Sequence, residues 1–281
     1  MRDRPGSSEA VRSLFLEPKF EVLPFRSVFD QVEFLPRAAT VTVTASPSKG
    51  MQPTLEYSTK LAERGFEVVP HIAARSFADR GKLANMLDTF AAAGIGHLFV
   101  IGGDSTEPGE FPDGLALIRA IDDLGHRSFE IGIPAYPDGH AFISNETLRQ
   151  DLKDKQPHAS YMTTQMCFDP DVISRWVAAV RTDGITLPIH LGMPGVAPVR
   201  KLIGISAQIG VKTSARFLAR NRSLLGWLLR RGMYSPDRLV QRLGDVIADP
   251  AAKIEKVHVY TFNQVEPFEA WRQDWLTALE R

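Results

Sequence analysis

Eight short apolar runs, separated by segments of helical period, constrain this chain more than any single motif. The runs lie at 19–24, 39–45, 66–72, 97–101, 129–136, 160–166, 187–192 and 257–262. Short runs rich in Val, Ile and Phe read as strands buried on both faces. The stretches at 53–64, 79–93, 114–124, 145–155, 171–182 and 267–279 carry helical spacing, and Gly65 and Gly94 stand where a helix would stop. Such alternation implies parallel β-α-β units. Eight of them favour an α/β fold of one kind, a single closed (β/α)8 TIM-like barrel, over an open doubly wound sheet. The interval 198–252 is long enough for extra helices before the last strand. Within it, 211–227 is basic and amphipathic (Lys212, Arg216, Arg220, Arg222), which suits a core-packed helix with a solvated face better than a membrane-surface helix. Residues 1–18 read as a loose tail with one helical turn at 10–16, leaving 19–281 as one catalytic barrel.

Charge and cysteine content narrow the partners. Lys and Arg number 33 and Asp and Glu also 33, so no net field draws the chain to nucleic acid or an anionic membrane. The single cysteine, Cys167, rules out an intrachain disulfide and fits a reducing compartment. It sits in the apolar run Met166–Phe168, as an inert buried thiol does. The N-terminus has no secretory pattern and no run reaches the ~18 apolar residues of a membrane span. A cytoplasmic protein acting on a small molecule is expected.

In a barrel of this kind, chemistry sits where strands end. Those ends offer Glu21, Thr44 with Ser46, His71, Asp104, Tyr136 with His140, Gln165, Met193 and Asn263. Asp104 follows Gly102-Gly103 directly after a fully apolar strand, so a carboxylate stands where the strand opens into a cleft. Two carboxylates, two imidazoles, a phenol and two carboxamides suit a ring system held by hydrogen bonds and protonated by an acid. Glu21 is flanked by Phe20, Val22 and Leu23. A carboxyl taken out of water by such a wall favours its neutral form and suits general-acid work. His71, His140 and Asp104 lack the spacing of a metal site, so no metal is expected. No dinucleotide fingerprint or P-loop is present.

Several segments carry a resemblance. Ile133-Pro134-Ala135-Tyr136-Pro137-Asp138-Gly139-His140 resembles the Ala-Tyr-Pro-Glu-x-His segment of methylenetetrahydrofolate reductases. Thr163-Thr164-Gln165-Met166-Cys167-Phe168-Asp169 is similar to their Ile-Thr-Gln-x-x-Phe-Asp segment. Phe20-Glu21-x-x-Pro24, the Gly103-Asp104 loop, Pro70-His71 and Tyr260-Thr261-x-Asn263 match in type and order, from about residue 19 to 264. The resemblance implies reduction of 5,10-methylenetetrahydrofolate to 5-methyltetrahydrofolate by NADH or NADPH. It makes Glu21 the acid that protonates folate N10, places Asp104 beside the pterin and the iminium charge, and sets Gln165 on the pterin. Thr44, His71, Tyr136 and His140 match positions lining a flavin pocket, and Gly103 and Lys155 complete the cofactor-binding set.

The departures matter too. Gly102 stands where the family carries an arginine, and Asp154 replaces another on the helix that holds flavin phosphates. An anion in place of a cation opposes pyrophosphate binding. FAD is therefore expected to bind weakly or not at all, as in a flavin-independent branch of such reductases. The chain lacks the long C-terminal extension of regulated members, so control by S-adenosylmethionine is not expected. A folate-dependent one-carbon or methyl transferase and a non-catalytic folate-binding barrel use the same residues and stay open.

Overall fold

The computed structural model describes residues 5–46, 49–105, 109–202 and 232–279. Eight parallel strands close into a barrel: β1 (Lys19–Val22), β2 (Thr40–Val43), β3 (Glu67–Ala73), β4 (His97–Ile101), β5 (Glu130–Ala135), β6 (Tyr161–Thr164), β7 (Ile189–Pro194) and β10 (Ile254–Tyr260). Each pairs with its sequence neighbour, and β10 joins β7 to β1. A two-stranded antiparallel sheet, β8 (Ala197–Pro198) with β9 (Met233–Tyr234), stands beside it.

The helices follow the strands as the periodicity predicts. They are α3 (Gln52–Glu63), α4 (Arg80–Ala92), α5 (Gly114–Asp123), α6 (Asn145–Lys155), α7 (Pro170–Thr182) and α9 (Val265–Leu279). Side-chain oxygens of Asp79, Asp113, Ser144 and Asp169 accept backbone N–H groups in the first turns of α4 to α7, so polar caps fix where those helices begin. A short α2 (Val28–Gln31) follows β1, and α8 (Asp237–Ala248) precedes the last strand. The basic stretch 211–227 lies outside the described residues. Among the described residues no helix is long and apolar enough to cross a membrane.

The N-terminal segment corrects the expectation of a loose tail. Pro5–Leu16 forms α1. Its Phe15 is fully buried, with ring centroids 5.6 Å from Trp271 and 5.1 Å from Trp275 of α9. Arg272, itself buried, donates to Phe15 O at 2.8 Å and Leu16 O at 3.4 Å, satisfying carbonyls at the end of α1. Its charge is matched by Glu269 at 2.6 Å. The apolar positions of α1 are few, and the surface that receives them is encoded more than 250 residues later.

Strand alternation separates two interiors. Phe20, Val22, Val41, Val43, Leu98 and Val100 belong to the large apolar layer between sheet and helices. The opposite parity lines the barrel lumen, whose apolar cluster is Val69, Phe99 and Tyr161. The remaining lumen is polar, with Lys19, Thr42, His71, Thr163, His190 and His258 all buried. Lys19 Nζ sits 4.1 Å from the Tyr161 ring centroid, and Tyr161 stacks on His190 at 3.9 Å. Burial pushes the Lys19 ammonium down to about 8, against the pull of Glu67. Gly132 leaves room for this arrangement, since a Cβ there would stand 2.4 Å from the Tyr161 ring.

Two stability measurements check this account. Phe15→Ala is expected to cost about 3–5 kcal/mol in urea unfolding, where a free tail would lose nothing. Lys19→Met is expected to stabilise the fold near pH 7, by about 2–3 kcal/mol at most. The native amine loses its proton above about 8 while the unfolded chain keeps it to 10.5, so the parent gains stability across that window. The advantage of Lys19→Met should therefore shrink as the pH rises through it.

Candidate active site

The first and last barrel strands build the centre of the site. Thr261 Oγ1 donates to Glu21 O at 2.6 Å, and Leu23 N–H donates to Asn263 Oδ1 at 2.8 Å. Asn263 Nδ2 returns a bond to Leu23 O at 3.1 Å. Phe262 and Asn263 adopt φ of 51° and 56°, a left-handed turn that brings the end of β10 back against β1. The Asn263 carboxamide, expected to line the cleft, is thus engaged by backbone. The same clamp holds the peptide of Glu21.

Glu21 projects towards two imidazoles. Its Oε2 lies 3.0 Å from His258 Nε2 and 3.8 Å from His71 Nε2, and its side chain is 14% exposed. Desolvation pushes His71 down to about 4, outweighing the attraction of Glu21, and His258 adds to the lowering. Around neutral pH His71 is therefore an uncharged imidazole. It packs against Phe99 with ring centroids 4.6 Å apart. Tyr260 lies 5.0 Å from the His258 ring and donates its hydroxyl to Thr164 O at 3.0 Å. Desolvation raises the Tyr260 phenol well above its ordinary value, and Glu21 and Tyr136 add to the shift. Gly192 makes this possible: a Cβ there would fall 1.8 Å from Thr164 O and 2.9 Å from Tyr260 Cε2.

A second group gathers after β4 and β5. Tyr136 is pushed up to about 12 by burial, with the charges of Asp151 and Asp104 adding to it. Asp104 is exposed, following Gly103, whose φ of 87° and 3.0 Å approach to the Ala73 Cβ both require glycine. His140 meets Tyr136 edge-on at 5.1 Å, and its Nδ1 accepts the Phe142 N–H at 3.3 Å. Tyr260 reaches across to Thr164 at the end of β6, which pairs with β5, so both groups stand at the carboxyl ends of the strands.

Other expected residues are engaged locally. Gln165 Oε1 accepts the next residue's N–H at 2.8 Å. The Thr44 carbonyl accepts the Thr54 hydroxyl at 2.9 Å. Met193 is buried in the apolar layer outside the sheet. Lys155 is buried, its Nζ 2.6 Å from Asp151 Oδ2 and close against Gly114 at the start of α5. A groove of about 310 Å³ between α6 and α7 is walled by Arg149, Arg175 and Trp176 and bordered by Tyr136. Cys167 is fully buried, as its apolar setting predicts.

The sequence does not single out His258, and it marks Tyr260 only as part of the matched segment Tyr260-Thr261-x-Asn263. The available signal was parity: in Val257-His258-Val259-Tyr260 the polar rings alternate with valines, which puts both rings in the lumen. Glu21, His71 and His258 offer ligand atoms within 4.8 Å of one another, a geometry that could hold a metal ion. They come from three separate strands, so sequence spacing carries no trace of it.

Fold and cleft together define a parallel eight-stranded barrel with an acid–imidazole–phenol site at its carboxyl end. Among solved structures it is similar to oxaloacetate acetylhydrolase in complex with the inhibitor 3,3-difluorooxalacetate (TM-score 0.54, 12% identity, covering 99% of this chain and 88% of that one). It is also similar to a putative lyase/mutase from Burkholderia cenocepacia (TM-score 0.50, 16% identity, covering 98% and 85%). At such identity the likeness concerns the fold alone. The methylenetetrahydrofolate reductase family model matches residues 15–269, and the chain belongs to that family. Relatives include 5,10-methylenetetrahydrofolate reductase of Pectobacterium carotovorum, 27% identical over 168 residues (58% of this chain, 54% of that protein). Methylenetetrahydrofolate reductase 2 of Saccharomyces cerevisiae is 32% identical over 87 residues (30% and 14%). The chain thus spans about half, or less, of the length of these curated relatives.

The close approach at Gly192 gives a direct check. Gly192→Ala should force Thr164 and Tyr260 apart and cost about 3 kcal/mol or more in denaturant unfolding. A change within about 0.5 kcal/mol would contradict the packing described.

Proposed function

We propose that this barrel reduces 5,10-methylenetetrahydrofolate to 5-methyltetrahydrofolate, with a reduced nicotinamide as second substrate and hydride source. The observation that carries the reading is Glu21: in a chain of this family, a mostly enclosed carboxyl stands at the mouth beside the rings of His258 and His71. The reaction needs one proton and one hydride. Glu21, in its acid form, gives its proton to folate N10. The N10–methylene bond breaks, the five-membered ring opens, and an iminium forms between N5 and the methylene carbon. Hydride adds to that carbon, the nicotinamide is oxidised, and the carbon becomes the N5 methyl group. Asp104, close enough to act on Tyr136, supplies negative charge beside the developing cation. Gln165 and Tyr136 border the space in which the pterin would lie.

Flavin, when bound in family members, accepts hydride from the nicotinamide and passes it on. The residues here fit it poorly. The Lys155 ammonium that would meet a pyrophosphate is buried and paired with Asp151. Asp154, hydrogen-bonded to Gln150 at 2.7 Å, adds to the carboxylates of Glu146 and Asp151 on the same helix. The helix carries as many carboxylates (Glu146, Asp151, Asp154) as cations (Arg149, Lys153, Lys155), and its most enclosed cation is already neutralised, which leaves little net attraction for a pyrophosphate. We therefore infer direct hydride transfer from nicotinamide to the iminium, which requires the two rings to be held against each other in a dry cleft.

An anaerobic assay tests both parts. Colourless protein should oxidise NADH or NADPH when methylenetetrahydrofolate is added, with no gain from added FAD. Glu21→Gln should lower kcat by about 10²–10⁴-fold while folate binding is retained. Stoichiometric flavin in gently purified protein would overturn the direct route, and full activity in Glu21→Gln would overturn the acid.

A further inference from the structure

The two carboxyl oxygens of Glu21 have unlike surroundings. Oε2 faces His258 Nε2 at 3.0 Å, whereas no described residue hydrogen-bonds Oε1. On the far side of the His258 ring, Nδ1 is buried without a partner. A proton there would be a buried donor with no acceptor, at a cost of about 1–3 kcal/mol. Hydrogen-bond bookkeeping therefore assigns the His258 tautomer that carries its proton on Nε2 and donates to Oε2. The ring has little room to turn. It is 2% exposed and packed between Phe99, 6.5 Å away, His71 at 6.4 Å and Tyr260 at 5.0 Å.

We propose that His258 is a positioning residue for Glu21: its Nε2–H locks Oε2, so that Oε1 is the oxygen that carries the acid proton to substrate. This rests on the assignment of Glu21 as the acid. In the transfer the Oε1–H bond breaks and the N10–H bond forms. The electron pair stays on the carboxylate, whose Oε2 keeps the His258 donor throughout. His258 itself gains and loses no proton, and water returns the proton to Glu21 after turnover.

The surroundings suit such a fixed donor. The titratable groups facing His258 are Glu21 and Lys19 on β1, His71 on β3, His190 on β7 and Tyr260 on β10. Burial lowers His71 to about 4 and His190 to about 2, so neither supplies a cation near neutral pH, and the ammonium of Lys19 lies over the Tyr161 ring. A fixed cation against Oε2 would hold Glu21 as a carboxylate. A single N–H orients it and still lets it carry a proton.

The test compares His258→Phe, which keeps the ring and loses the donor, with His258→Gln, which restores an N–H at similar reach. Steady-state rates are followed across pH with Glu21→Gln as reference. His258→Phe should lower kcat by about 10- to 100-fold with KM for the folate within about 2-fold. Its alkaline limb should move to higher pH, because removing a donor to the carboxylate disfavours the charged form. His258→Gln should bring back both rate and limb. If Glu21→Gln is inactive while His258→Phe keeps the parent's rate and limb, the positioning role is overturned and the acid stands. Equal losses in both His258 variants with an unmoved limb also overturn it, leaving a packing role. Full activity in Glu21→Gln removes the underlying acid instead. Should His258→Phe fail to fold, carbon-13 NMR of labelled glutamate decides, with the Glu21 signal assigned by its loss in Glu21→Gln. Its titration must move upward in a folded His258→Leu or His258→Asn protein, and an unmoved titration ends the proposal.

Discussion

Closure of the sheet between β1 and β10 is the constraint on which everything else in this molecule rests. A parallel sheet left open would expose an edge at Lys19–Val22 and leave the polar lumen in water. Closing it brings Glu21 beside Tyr260 in register and lets Thr261 grip the backbone at Glu21 and Asn263 grip it at Leu23. The position of Glu21 is therefore set by strand pairing and by the Thr261 and Asn263 side chains that hold its backbone. Side-chain packing then selects which rings lie near it.

The lumen departs from the bulky branched filling usual for such barrels. It places Lys19, Tyr161 and His190 at one end and His258, His71 and Glu21 towards the mouth. Apolar packing has been moved almost wholly to the outside of the sheet, where Phe20, Leu98, Leu191 and Val259 meet the helices. The outer layer supplies cohesion, which frees the inner one to hold weakly solvated polar groups. Desolvation is the leading cause of the lowered His71, His190 and Lys19 and of the raised Tyr260. One physical effect thus sets the protonation of most of the lumen.

Legibility in the sequence followed the range of the interaction. The strands could be read because each is a local run such as Val41-Thr42-Val43, and the helices because caps and glycines lie next to them. Glu21 stood out through its apolar flanks, Asp104, Tyr136 and Gln165 as polar residues at strand ends, and family resemblance then gave them roles. What stayed hidden depended on partners far along the chain. α1 is held by Trp271, Arg272 and Trp275, and nothing near Phe15 announces them. His258 acquires meaning only when closure sets it against Glu21, 237 residues earlier. Asn263 shows the opposite error: a carboxamide at a strand end looked available for ligand, yet the backbone of Leu23 takes both of its polar atoms.

The clamp on Glu21 also bears on how this protein is made. A chain emerging from the ribosome presents Glu21 early, but the residues that grip and orient it, 258–263, follow only some 240 residues later. Until they dock, β1 has only β2 beside it, and the acid has neither its neighbouring imidazole from β10 nor the fixed backbone it needs. No partial chain can hold a half-formed site. Assembly of the site is a reporter of a finished barrel, and a nascent or C-terminally clipped molecule should be silent rather than errant.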